Sequence, residues 1–178
     1  MAARDTPGSG PAARGPCPRC GKPFGGSPFC PRDGTLAVDA FTVGGRYVVE
    51  ELLGAGGFSF VFGARHHILG KEVAVKVLRP DVAHDGEQSQ RFLREATRAS
   101  QLKQHENIVG VLDFGRDDAH DLLFLVMDRL HGPTLAQVMR EGPLPVARAL
   151  AILSQLARAL AAAHAEGVIH RDLKPKNV

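Results

Sequence analysis

The stretch Ile169-His170-Arg171-Asp172-Leu173-Lys174-Pro175-Lys176-Asn177 gathers a carboxylate, an ammonium and a carboxamide into one short loop. Asp172 offers a base for a hydroxyl proton, Lys174 a cation to steady an anionic group in transfer, and Asn177 an oxygen for a hard metal ion. Upstream, Leu53-Gly54-Ala55-Gly56-Gly57-Phe58-Ser59-Phe60-Val61 is glycine-rich, and glycine lets backbone N–H groups approach phosphate oxygens without interference from Cβ. Alone, such a stretch is equally a tight hairpin turn. In Val73-Ala74-Val75-Lys76-Val77 the valines alternate with Ala74 and Lys76, so the lysine shares a strand face with Ala74. A lone strand lysine is ordinarily a solvated edge charge. Following a glycine-rich turn, it points to a phosphate-binding cation.

A second cluster lies near the N-terminus. All three cysteines, Cys17, Cys20 and Cys30, are close together, an odd number that suits metal ligation better than a disulfide framework. Asp33 stands where a fourth cysteine would be expected, and zinc accepts carboxylate oxygen, so a Cys3Asp zinc site is chemically allowed. Water as the fourth ligand, or a degenerate ribbon that binds no metal, are the alternatives.

These groups need elements to position them. Residues 1–16 have the Pro/Gly/Ser/Arg composition of a flexible tail. Residues 17–35 read as a small zinc-ribbon-like module, and 36–44 as a linker. From Tyr47 to Val77, Val, Phe and Leu runs broken by Gly54–Gly57 and by Leu69-Gly70-Lys71 predict three strands. Phe92, Leu93, Ala96, Ala99 and Leu102 recur at helical spacing within Glu87 to Gln104, and strands resume at Ile108–Phe114 and Leu122–Met127. A short helix is expected from the N-cap Thr134 to near Gly142. A longer one, starting with Pro145 in its first turn and stopped by Gly167, places Ala149, Leu150, Leu153, Leu156, Ala157 and Leu160 on one face. No internal repeat is expected.

In this order the segments resemble the protein-kinase superfamily, specifically bacterial Ser/Thr kinases of eukaryotic type, over Tyr47 to Val178. The fold class implied is α+β. A small lobe with a five-stranded antiparallel sheet and one helix occupies residues 45–131 with its hinge, and the first helices of a helical lobe occupy 132–178. The resemblance implies ATP and Mg²⁺ as cofactors and a protein Ser/Thr hydroxyl as acceptor, Lys174-Pro175 resembling the Ser/Thr class rather than the Tyr class. It places Leu53, Gly54, Gly56, Gly57, Ser59, Val61 and Ala74 around the nucleotide, and Lys76 on its phosphates, held by Glu95. Met127 would stand at the back of the adenine pocket, with the Asp128 carbonyl and the Leu130 N–H facing the adenine edge. Asp172 would receive or orient the hydroxyl proton, Lys174 would steady the phosphoryl group, and Asn177 would hold Mg²⁺. Asp113-Phe114-Gly115 has the letters of the second metal motif but precedes the loop it should follow, so it is expected to be a strand-end turn.

The catalytic loop is followed by Val178 alone. The expectation is therefore a piece lacking the second metal aspartate and the activation segment, and inactive by itself. An ATP-binding or partner-binding pseudoenzyme or adaptor with a zinc module is the alternative. Composition narrows the rest: 178 residues, 44% hydrophobic, suit an ordinary globular chain, and a net charge of +3 with scattered Lys and Arg argues against a nucleic-acid face. With no apolar run of span length and no signal-peptide h-region, no membrane segment and a cytoplasmic location are expected.

Overall fold

The computed structural model describes residues 16–37, 41–83 and 85–178. The expected tail, 1–16, thus lies outside the described residues except for Pro16.

Apolar alternation builds one antiparallel sheet from β1 (Phe41–Val43), β2 (Tyr47–Ala55), β3 (Ser59–His66), β4 (Glu72–Leu78), β5 (Val111–Asp117) and β6 (Leu122–Asp128), in the order β1-β2-β3-β4-β6-β5. The five expected strands are all present, and β1 adds a sixth from the stretch read as linker. Gly44 and Gly45 make this possible, since both hold φ in the left-handed region, at 56° and 66°, and turn β1 back onto β2. Gly44 N–H donates to the buried Asp117 carboxylate at 3.1 Å, tying this turn to the far end of β5.

Register fixes two unlike faces. Phe62, Val75 and Val126 lie opposite one another on β3, β4 and β6, as do Val61, Lys76 and Leu125 one residue along, so the two rows point to opposite sides. The first side is a dense core of Phe41, Val49, Phe60, Phe62, Val73, Val75, Val77, Phe124 and Val126, most of them without solvent contact. The second side receives α2 (Gly86–Gln101) through Phe92 and Ala96, which pack with Leu78 and Leu125. Asp85 caps α2, its carboxylate accepting from Glu87 N–H at 2.9 Å. The helix stops three residues before the expected Gln104 because Leu102 is already extended. A one-turn helix that the periodicity did not show, α1 (Pro80–Ala83), precedes it.

Asp113-Phe114-Gly115 is strand rather than turn. The three residues pair with Val126, Leu125 and Phe124 in the middle of β5, after a bulge between Val111 and Asp113. Asp113 is occupied there, accepting from the Tyr47 hydroxyl at 2.9 Å and from Arg46 at 2.8 Å.

Past β6, Thr134 and Gln137 form a reciprocal capping box for α3 (Leu135–Val138), which ends one turn before the expected Gly142. Pro145 caps α4 (Val146–Ala165) from just outside its first turn, and Gly167 at φ 73° terminates it. Only part of the apolar face expected from the spacing is covered in α4. Ala159 and Ala163 are buried, with Ile152, Leu156 and Leu160 partly covered, while Leu150 and Leu153 are 60% and 57% exposed. By length and composition α4 is also apolar enough to cross a membrane. No uninterrupted apolar run marks it in the sequence, because Arg148, Ser154, Gln155 and Arg158 break the pattern. In the fold two of those polar groups are used: Gln155 accepts from Asn107 at 3.1 Å and Arg158 lies 3.5 Å from Glu106, while Glu166, just past the helix, lies 2.9 Å from Lys103.

Candidate active site and metal centre

The glycine-rich hairpin joins β2 to β3, closed by Gly56 N–H to the Ser59 carbonyl at 2.8 Å and by Arg79 N–H to the Phe58 carbonyl at 3.0 Å. Gly54 and Gly57 have no internal reason to be glycine. Neither holds a left-handed φ, and a Cβ on either would meet nothing within 4 Å. The bare backbone faces open space that a ligand can occupy. Directly across the ladders, Val61 stands opposite Lys76 and Ala74 opposite Met127, so all four share the α2 side of the sheet.

Lys76 leaves that face to meet α2. Its Nζ is 2.6 Å from Glu95 Oε1 and 5.7 Å from the centre of the Phe92 ring. The ammonium is mostly covered and the carboxylate largely open. The pairing expected from sequence is thus made.

At the β6 exit the charged side chains fold away from the backbone. Asp128 accepts from Lys71 at 2.9 Å, Arg129 donates to Glu51 at 2.7 Å, and Asp128 N–H bonds the Gly110 carbonyl at 3.0 Å. Leu130 follows, 71% exposed.

In the terminal loop, Arg171 holds φ at 62°, and Asp172 N–H reaches back to the His170 carbonyl at 2.8 Å. This is a γ-turn of the strained kind, which projects Asp172 from the chain. Lys174 Nζ lies 2.7 Å from Asp172 Oδ2, and Asn177 Nδ2 donates to the Asp172 carbonyl at 2.8 Å. The Lys174 ammonium, aided by Asn177 and opposed by partial desolvation, holds the Asp172 carboxyl below the usual carboxylate range. The group is therefore ionised at neutral pH. With Nδ2 committed, the Oδ1 of Asn177 is the end left for a cation. Asp172, Lys174 and Asn177 form one cluster, and Lys76 with Glu95 another.

The cysteine module shows a repeat where none was expected. Cys17-Pro18-Arg19-Cys20-Gly21-Lys22 and Cys30-Pro31-Arg32-Asp33-Gly34-Thr35 make the same turn. Gly21 N–H bonds the Cys17 carbonyl and Gly34 N–H the Cys30 carbonyl, each at 2.9 Å. Cys17 N–H bonds the Lys22 carbonyl and Cys30 N–H the Thr35 carbonyl, each at 2.8 Å. Asp33 is the one ligand position at which the halves differ. Two such turns face each other so that a ligand atom from each of Cys17, Cys20, Cys30 and Asp33 lies within 4.8 Å of the rest. Ligand bonds to zinc are about 2.0 to 2.3 Å, so this donor set fits one such ion.

Burial alone would raise the Asp33 carboxyl, but hydrogen bonds from the Thr35 hydroxyl and N–H hold it far below its ordinary range. The Lys22 backbone favours the Cys20 thiolate, yet the neighbouring Asp33 carboxylate, desolvation and the adjacent thiols push that thiol up to about 12.

The module does not hang free. Phe29, beside Cys30, is fully buried among Phe41, Phe60 and Phe62, with ring centres 5.2 to 5.8 Å away. Gly34, beside Asp33, holds φ at 75°, and a Cβ there would stand 2.8 Å from the Phe60 ring. Sequence reading missed Phe29, although an aromatic flanking a ligand cysteine was its visible sign.

Comparisons with known proteins agree with this geometry. The family described as "Protein kinase domain" matches residues 47–178. The chain is 43% identical over 143 residues to the serine/threonine-protein kinase pkn2 of Myxococcus xanthus, covering 80% of this chain and 17% of pkn2. It is 42% identical over 137 residues to the serine/threonine-protein kinase PrkC of Bacillus subtilis, covering 76% and 21%. The chain thus spans about a fifth of the length of these curated relatives. The crystal structure of the Mycobacterium tuberculosis PknI kinase domain superposes with a TM-score of 0.67 at 36% identity, over 79% of this chain and 57% of that one. With the six-stranded sheet, the Lys76–Glu95 pair and the Asp172 loop in place, the chain belongs to the protein kinase family.

Proposed function

We propose that this chain supplies the nucleotide-binding lobe and catalytic loop of an ATP-dependent protein serine/threonine kinase. The observation that carries the reading is the Lys76–Glu95 contact, which fixes a cation on the sheet face beneath the open glycine-rich hairpin. Lys76 would bind the ATP phosphates, and Gly54, Gly56, Gly57 and Ser59 would cover them with backbone N–H groups. Leu53, Val61, Ala74 and Met127 would pack on the base, with backbone groups of Asp128 and Leu130 at its edge. Asp172 would take the proton of a Ser or Thr hydroxyl, and Lys174 would hold the moving phosphoryl group. Asn177 would ligate Mg²⁺, which when bound neutralises phosphate charge.

Mg-ATP titrated calorimetrically into this chain tests the nucleotide site. Binding that Lys76→Met weakens roughly ten- to a hundredfold and Asp172→Asn spares supports it, and binding indifferent to Lys76→Met rejects it. The chain spans 57% of the PknI kinase domain, so phosphoryl transfer is proposed for a chain carrying the rest of the domain. There, Asp172→Asn removes transfer; an unchanged rate would favour a binding module instead. A cytoplasmic location, where thiols stay reduced, belongs to the same proposal.

The second cluster supports a zinc site held by Cys17, Cys20, Cys30 and Asp33. Elemental analysis of the purified chain should give one zinc per chain, lost in Cys17→Ser; metal-free protein in both overturns this part alone.

A further inference from the structure

The paired turns of the cysteine module sit on the side of the sheet opposite Lys76. We infer that a metal ion at this site braces the nucleotide-binding hairpin through β3, so that zinc loading and ATP binding are coupled. This rests on the zinc reading given above.

The connection is short and continuous. Two residues that meet the sheet are immediate neighbours of ligands: Phe29 precedes Cys30, and Gly34 follows Asp33. Phe29 fills the space between Phe41, Phe60 and Phe62, while Gly34 lies against Phe60 and Leu52. Leu52 and Phe60 flank the glycine-rich turn on its two strands, and Val61, between Phe60 and Phe62, points to the other side beside Lys76. One strand thus carries the module on one face and the nucleotide site on the other.

The module has little else to hold its shape. The buried cluster around the cysteines consists of Cys17, Phe24 and Cys30, with Cys20 and Ala37 alongside. So small a core does not fold stably by itself, and a structural metal supplies the missing free energy. Without it, the turn from Cys30 to Thr35 loosens, and Phe29 and Gly34 lose the geometry that fits Phe60. Because the ion binds the ordered module and not the opened one, its binding free energy is transmitted to β2 and β3.

The test is amide hydrogen exchange of the whole chain, stripped of metal and then given one equivalent of Zn²⁺, together with Mg-ATP affinity in both states. Zinc should slow exchange over Leu52–Phe62, by up to about a hundredfold when free zinc is one hundred times its dissociation constant, and should tighten Mg-ATP binding. Phe29→Ala keeps every ligand, so it should still bind one zinc while losing both effects. Phe29→Leu, which preserves folding better, should lose them in part. Zinc bound one to one with unchanged exchange over Leu52–Phe62, or effects that persist in both Phe29 variants, overturns the coupling while leaving the metal site intact. No zinc bound to the parent chain removes the metal reading and the coupling with it.

Discussion

Lys76 on β4 and Glu95 on α2, 2.6 Å apart, join the sheet to the helix that covers it. Glu95 is more than half exposed, so the pair contributes only about 0 to 1 kcal/mol to folding. Its expected value lies in ligand binding. Lys76→Met should leave the unfolding midpoint nearly unchanged yet weaken Mg-ATP binding by the loss of a charge-assisted hydrogen bond, about 1.5 to 3 kcal/mol or roughly ten- to a hundredfold. Glu95→Gln should fall between the parent and Lys76→Met. Calorimetry and thermal unfolding on the same samples separate the two effects.

Tyr47 gives an alkaline signature. Burial and the hydrogen bond to the Asp113 carboxylate raise its hydroxyl from 10.0 to about 12. A raised folded value favours the protonated form, so its stabilisation is complete below pH 10.0 and is lost as pH climbs through about 12. The chain has one tyrosine and no tryptophan, so tyrosinate absorbance reports this group alone. An absorbance midpoint near that of free tyrosine would refute the buried contact. Tyr47→Phe should cost about 1 kcal/mol at neutral pH and flatten the alkaline limb of the stability profile.

Gly44 and Gly45 are neighbours with unequal constraints. Both need left-handed φ, but a Cβ at Gly44 would stand 2.6 Å from the Phe124 ring, while one at Gly45 meets open space. Gly45→Ala should cost about 1 kcal/mol, the backbone term alone. Gly44→Ala should cost about 2 to 4 kcal/mol, since overpacking adds to it. Urea midpoints at constant slope would show the difference, and equal costs would place the Gly44 turn away from Phe124.

The uncovered face of α4 should bind a hydrophobic dye. Val146, Leu150 and Leu153 are each more than half exposed on successive turns. The double variant Leu150→Gln and Leu153→Gln should lose most dye fluorescence without lowering the unfolding midpoint. Retained fluorescence would locate the sticky surface elsewhere.

The residues of the candidate site were legible in the sequence because their spacing is local. Lys76, Asp172, Lys174 and Asn177 sit in short contiguous signatures, and Glu95 lies on a helix whose periodicity was clear. What escaped depends on partners distant in the chain. Strand β1 is three residues long and owes its existence to pairing with β2, so no alternation could announce it. The burial of Phe29 depends on Phe60 and Phe62, some thirty residues on. On α4 the spacing marks the apolar face, and what it does not show is that Ala159 and Ala163 are the residues that end up buried. The repeated Cys-Pro-Arg turn was in plain view but hidden by the substitution of Asp33 for a thiol.

The bulge in β5 has a consequence for association. A sheet exposes unpaired backbone groups along its two outer strands, where another chain can add by strand pairing. One outer strand, β1, spans only Phe41–Val43. The other, β5, is broken by its bulge after Val111 and carries Asp113, Arg116 and Asp117. Among the described residues, neither rim presents a long, flat, uncharged template, so the sheet resists edge-to-edge aggregation even though five of its six strands are long enough to invite it.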